Sequence, residues 1–245
     1  MSDDSHSGAV PAQAAPRIIV HRVNTLQKLA LVPKHFGVEV DIRTRDGVLV
    51  MDHEPWMQSA GGMADQGPEQ KDSGSSRQGP ERFASLVAAL EGRFIVLNPK
   101  EDGLQDAILT VLRKHAVTDY FFLDLPFPTI WQLCLAGEHK IALRFSEHEP
   151  LEAVLAMKGR ADWVWVDTFT RLPLDRRSHD ALRSAGFKLC LVCPERWGRP
   201  EDIPIYRRQM LAEGLWVDAV MTALEHAQDW TAPLDVSGLR TGGKR

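Results

Sequence analysis

Two acids two positions apart, Glu39 and Asp41, stand inside the apolar run Val38-Glu39-Val40-Asp41-Ile42. Alternate residues of a strand share a face, so both carboxylates point the same way. A pair of acids in such surroundings repels and resists desolvation unless a cation lies between them. Carboxylate oxygens suit hard cations such as Mg2+ or Ca2+. His53 follows the next apolar run, and His21 and Arg22 close an earlier one, Ile18-Ile19-Val20. Histidine titrates nearest neutrality and can both supply and remove a proton. Arg22 offers a bidentate fork to phosphate oxygens, and Lys100 a point charge. Together these are the components of a metal-assisted phosphate site. The competing reading pairs the acids with Arg43 and Arg45, and Arg22 and Lys100 with Asp124 or Glu39.

These side chains need a frame that gathers them. Arg17 to Arg22 reads as a strand, followed by a helix capped at Asn24 or Thr25 and carrying Leu26, Leu29 and Ala30. Gly37 to Glu54 reads as a hairpin turning at Arg45-Asp46-Gly47, Asp-Gly being a strong turn signal. Residues 57–80, full of Gly, Ser, Gln and charge without apolar periodicity, are expected to form a mobile loop. Six more apolar runs follow, at Phe94, Tyr120, Ile141, Trp163, Phe187 and Trp216, with helical spacing between them.

Strands that are apolar throughout belong to parallel sheets covered on both faces. Eight of them alternating with helices predict an α/β fold, a single (β/α)8 barrel. Arg22, Asp41, Lys100, Asp124, Arg144, Asp167, Glu195 and Thr222 fall at the C-terminal ends of these runs. That is the rim where such barrels build active sites, so Arg144, Asp124, Trp165 and Asp167 are candidates to contact substrate, with Glu195 beside them. A doubly wound sheet would want a Gly-rich loop after the first strand, and His21-Arg22-Val23-Asn24-Thr25 is not one.

The 245 residues suit one domain, placed at 16–230 between a disordered start (1–15) and a flexible end (231–245). A net charge of −4 gives no support to nucleic acid as a partner. No apolar run is long enough to cross a bilayer, and the polar start lacks the order of a signal peptide. Three cysteines in apolar settings point to a reducing cytoplasm. Cys190-Leu-Val-Cys193 lies inside a strand-like run, where packing is the expected role. The remaining histidines fall in predicted helices or loops and are read as structural.

At its candidate site the sequence resembles the glycerophosphodiester phosphodiesterase family, among the phospholipase C-like phosphodiesterase barrels. The matching pieces are His21-Arg22, Asn24-Thr25-Leu26, Glu39-Val40-Asp41, the run Arg45 to His53, and Asn98-Pro99-Lys100. The resemblance implies a divalent metal (Mg2+ or Ca2+) on Glu39, Asp41 and the Asn98 position. It also implies acid-base work by His21 and His53, and phosphate contacts from Arg22 and Lys100. Val23 replaces the usual glycine, the first loop is short and lacks its glutamate, and Glu54 replaces an aspartate. Asn98 replaces the third metal-binding acid, so the site loses one negative charge and affinity should fall. Leu97 to Lys100, Arg144 to Glu147 and Trp163 to Asp167 further resemble a small bacterial group associated with surface-polysaccharide loci. The expected activity is hydrolysis of a small or sugar-linked phosphodiester, either directly or through a cyclic phosphate. One alternative is a catalytically weakened barrel that binds a phosphorylated sugar or a partner in surface-polysaccharide metabolism. Another is a metal-dependent isomerase or aldolase drawing on Asp124, Asp167 and Glu195.

Overall fold

A computed structural model describes residues 15–55 and 79–234. The predicted loop at 57–80 lies outside the described residues except for Gly79 and Pro80, as does most of each predicted tail. The elements are β1 (Arg17–Val20), α1 (Leu26–Leu31), β2 (Gly37–Arg45), β3 (Val48–Met51), α2 (Phe83–Ala88), β4 (Ile95–Pro99) and α3 (Gln105–Lys114). They continue with β5 (Tyr120–Phe122), α4 (Phe127–Leu135), β6 (Ala142–Phe145), α5 (Leu151–Leu155), β7 (Trp163–Val166) and α6 (Arg176–Ser184). The last are β8 (Lys188–Val192), α7 (Ile203–Glu213), β9 (Ala219–Thr222) and α8 (Ala227–Thr231).

Eight parallel strands run in the order β5-β4-β2-β1-β9-β8-β7-β6. A parallel bridge between Phe122 and Ile141 brings β5 to β6, so the sheet is a nearly closed (β/α)8 barrel. Strand β3 stands outside this ring and pairs antiparallel with the far end of β2. The hairpin turn has Asp46 and Gly47 at φ 51° and 74°, the left-handed pair that a tight two-residue turn demands.

Period-two alternation explains why apolar strands deliver polar groups to one place. Val38, Val40 and Ile42 pack outward with Ile95 and Leu97 in the layer shared with the helices. Ile19, Val96, Phe121, Leu123, Ala142, Trp163, Trp165, Cys190 and Val192 belong to a separate cluster that fills the barrel. Glu39 and Asp41 therefore fall on the inner face of β2. By the same count His21, Asn98, Arg144 and Asp167 continue the inner faces of β1, β4, β6 and β7.

Boundaries differ from expectation at β9, which starts at Ala219 instead of Trp216. The Asp218 carboxylate accepts the Leu189 N–H at 2.7 Å, which puts a side chain where a ladder bond would otherwise form. The helix expected from Glu201 opens instead with a 3-10 turn at Pro200–Asp202. The cysteines are free and buried. Burial pushes the thiols of Cys190 and Cys193 up, Cys193 to about 12, which suits packing and not redox chemistry. Among the described residues no helix is long and apolar enough to cross a membrane.

Candidate active site

The acid pair is almost fully buried, Glu39 at 3% exposure and Asp41 at 1%. Every carboxylate oxygen meets a donor of the chain. The backbone N–H of Arg22 donates to Glu39 Oε2 at 2.6 Å, and Asn98 Nδ2 donates to Glu39 Oε1 at 3.0 Å. Asn24 Nδ2 donates to Asp41 Oδ2 at 2.8 Å, while Asn24 Oδ1 accepts the Asp41 N–H at 2.9 Å. Lys100 Nζ lies 3.0 Å from Asp41 Oδ1. Burial, then the charge of Asp41, holds the Glu39 carboxyl above its ordinary value against these donors. Of the two arginines proposed as partners of the acids, Arg43 instead binds the His53 carbonyl and Glu101.

The hairpin positions His53. Ile42 pairs with Met51, and the Asp52 N–H returns to the Asp41 carbonyl at 3.1 Å, so the next residue comes back level with the acids. Arg22 Nη2 lies 3.0 Å from His53 Nε2, and Glu54 Oε1 lies 2.7 Å from His53 Nδ1. A guanidinium can only donate, so Nε2 must accept and Nδ1 must carry the proton toward Glu54. This network assigns His53 as a neutral imidazole with its lone pair at Nε2. Arg22 reaches it from a left-handed backbone (φ 53°). Such a conformation costs a non-glycine residue roughly 1–2 kcal/mol and collects at functional sites.

His21 Nε2 meets Glu195 Oε1 at 3.2 Å, and the same oxygen accepts the Ala223 N–H at 2.6 Å. Burial raises the Glu195 carboxyl, but the His21 hydrogen bond and charge and the Ala223 N–H outweigh it, and the net direction is down. Among the described side chains none pairs with His21 Nδ1 or with the amide oxygen of Asn98, though both are buried.

Arg144 closes the other side. Its guanidinium donates to Asp167 Oδ2 at 2.6 Å and to Asp124, with Glu149 3.7 Å away. Burial lowers the Arg144 pKa, but Asp124 and Asp167 more than offset it and the net direction is up. Burial also raises the Asp167 carboxyl, although Arg144, Trp197 Nε1 (2.9 Å) and the Thr168 N–H (2.9 Å) oppose it. Asp124 carries the second left-handed backbone of the rim, at φ 56°.

Eleven of the predicted residues line one cavity of about 110 Å³: His21, Arg22, Glu39, Asp41, His53, Asn98, Lys100, Asp124, Arg144, Trp165 and Asp167. Glu195, expected beside them, stands behind His21 instead. Sequence reasoning missed Asn24 as a clamp on Asp41, because Asn and Thr both read as helix caps and Thr25 takes the cap of α1. It also missed Trp197 and Arg196, which enter from a 3-10 turn with no periodic signal.

The donor set fits a hard cation of the Mg2+ kind, which uses one or two carboxylates and takes its remaining ligands from water and substrate. Glu39 and Asp41 would supply the carboxylates, in place of the donors that now meet them, and the Asn98 oxygen would supply a third ligand. Among the described residues no three His, Cys, Asp or Glu side chains form a metal-binding group, and the position beside the acid pair on β4 is the amide Asn98.

No family model and no curated protein matches the chain. Solved structures do. A glycerophosphodiester phosphodiesterase from Agrobacterium tumefaciens str. C58 superposes with a TM-score of 0.57 at 14% identity, over 85% of this chain and 96% of that one. A mutant tryptophan synthase α-subunit from the hyperthermophile Pyrococcus furiosus gives 0.50 at 14% identity, over 85% and 86%. At such identities the likeness is one of fold, and what this chain shares with both is the (β/α)8 barrel.

Proposed function

We propose that the chain is a metal-dependent phosphodiester hydrolase that works by two-histidine acid-base catalysis. The observation that carries this reading is the pairing of each histidine with its own carboxylate in the cavity that also holds the buried acid pair. Arg22 and Lys100 bind the phosphate oxygens. Once Arg22 turns from His53 to the phosphate, His53 Nε2 takes the proton of the attacking group, a water or a neighbouring hydroxyl of the substrate. His21, held by Glu195, gives its proton to the departing alcohol oxygen as the phosphorus–oxygen bond breaks. Attack by a substrate hydroxyl forms a cyclic phosphate, and attack by water gives the monoester. Glu39, Asp41 and the Asn98 amide oxygen would hold a divalent cation, which would supply Lewis-acid polarisation of the phosphoryl oxygens. The free, buried thiols accord with a reducing cytoplasm as the working compartment.

Turnover of bis(p-nitrophenyl) phosphate tests this. The wild-type chain with Mg2+ or Mn2+ releases nitrophenol, and His21→Ala and His53→Ala each lose about 10²-fold or more while keeping the circular dichroism of the fold. Full activity in both variants overturns the assignment.

A second reading, a barrel that binds a phosphorylated sugar without cleaving it, draws on the amide at position 98 and on the donors that already cap the acids. Calorimetric titration with Mg2+, Mn2+ and Ca2+ separates the two, because a binding module has no need of the cation. An isomerase or aldolase reading has less support. Asp124 and Asp167 are tied to Arg144, and Glu195 to His21, instead of converging on the cation.

A further inference from the structure

Strands β5 and β6 touch at a single bridge, Phe122 with Ile141, where the Phe122 N–H donates to the Lys140 carbonyl at 2.9 Å. Above that point the two strands part. The Leu123 N–H turns to Leu97 on the opposite neighbour, and Asp124 takes its left-handed backbone. Through the gap runs a cavity of about 450 Å³. It is lined by Ala142 and Trp165 from the barrel interior and by Ile130, Val154 and Met157 from the helix layer. Its charged groups, Arg144, Asp124 and Glu149, are bound to one another. Leu123, Asp124, Arg144 and Trp165 also line the smaller polar cavity, so the two spaces meet at the rim.

We infer that this gap is a subsite for a hydrocarbon group of the substrate, which makes the preferred ligand a phosphate ester carrying an alkyl or acyl chain. The inference rests on the phosphodiesterase reading only for the position of the phosphate. A cavity of this size and apolar lining is typical of small-molecule sites, whereas the 110 Å³ polar space has room for little beyond a phosphate. The continuity of the two supplies the register: phosphate at Arg22 and Lys100, chain running past Trp165 into the gap. Each methylene taken from water strengthens binding roughly threefold to fourfold.

Calorimetric titration with methyl, butyl and octyl phosphate, below the micelle threshold, measures this without turnover. Octyl phosphate is expected to bind at least 30-fold more tightly than methyl phosphate. Ala153→Trp, placed on an exposed position of α5 that borders the cavity, should weaken octyl phosphate at least tenfold more than methyl phosphate. Ala153→Leu repeats the test with a smaller intrusion if the tryptophan variant does not fold. Equal binding of the three esters, or a chain-length dependence untouched in the folded variants, overturns the subsite. Hydrolysis of methyl and octyl p-nitrophenyl phosphate separates the two readings. Chain-dependent binding without cleavage keeps the subsite and removes the diesterase, and cleavage indifferent to chain length does the reverse. Co-sedimentation with phosphatidylglycerol vesicles, lost in Ala153→Trp, assigns the chain to a bilayer lipid. Binding of octyl phosphate without co-sedimentation assigns it to a soluble ester.

Discussion

At the scale of single residues the informative atom is His53 Nε2. Arg22 forces it to be an acceptor, and Glu54 fixes the opposite nitrogen as the protonated one. Glu54→Gln keeps an oxygen for the Nδ1 proton but removes the charge that steadies the imidazolium formed in the reaction. Its kcat should fall about tenfold, less than the roughly 10²–10⁴ that loss of an acid-base group costs, with KM unchanged. A kcat equal to wild type in the nitrophenol assay would separate Glu54 from the chemistry. Asn98 invites the opposite change. Asn98→Asp restores a third carboxylate, so the dissociation constant for Mg2+ or Mn2+ by calorimetry should drop about tenfold or more. Glu39 supplies a pH dependence with a definite sign. Its carboxyl is held above the ordinary 4.5 by burial and Asp41, and the cation needs the ionised form. Cation binding therefore releases a proton wherever Glu39 is still protonated, and the metal-induced rise in melting temperature should shrink as the pH falls toward the carboxylate range. A rise that does not shrink in acid would remove Glu39 from the ligand set.

At the scale of elements, most of the frame was legible because a barrel strand is buried on both faces and betrays itself as an unbroken apolar run. The acids of β2 stood out for the same reason, being the inner half of an otherwise apolar alternation. The hairpin was legible from Asp46-Gly47, whose positive φ values few other residue pairs tolerate. What escaped was decided by tertiary competition: Thr25 won the cap and released Asn24 to Asp41, and Asp218 displaced the start of β9. Helix α6 offers a test of the frame apart from the site. Asp175 caps it by accepting the Ser178 N–H at 2.7 Å, and the Ser178 hydroxyl completes a reciprocal box. Asp175→Ala should cost about 1 kcal/mol, or roughly 2–4 °C in a chain of this size. The Ser178 bonds hold the Asp175 carboxyl below its ordinary 3.8, so its contribution is present above that value and fades as the pH falls below it. Wild type and variant melting curves should therefore converge in acid, and the proposed phosphodiesterase activity at neutral pH should be untouched.

At the scale of the whole molecule, the barrel is built unevenly. β1, β2, β4 and the hairpin carry the acids, the two cations Arg22 and Lys100 proposed to bind phosphate, and the two histidines. β5, β6 and β7 carry an internally paired cluster around Arg144 and the gap beside it. Composition could not announce that gap, because strand pairing is a matter of geometry between two runs that are each ordinary. Closure by one bridge has a dynamic consequence. β8 is laddered on both sides by β7 and β9, whereas β6 is laddered only by β7 beyond the Phe122–Ile141 contact. Amide groups without a ladder partner open at lower free energy than those in paired strands. Hydrogen exchange followed by mass spectrometry should thus show Ala142–Phe145 exchanging at least tenfold faster than Lys188–Val192. Since exchange slows when a ligand binds the closed form alone, octyl phosphate should protect the β6 peptide more than methyl phosphate does. Uniform protection around the ring, with no gradient toward β5 and β6, would mean that the barrel is as tightly closed there as elsewhere.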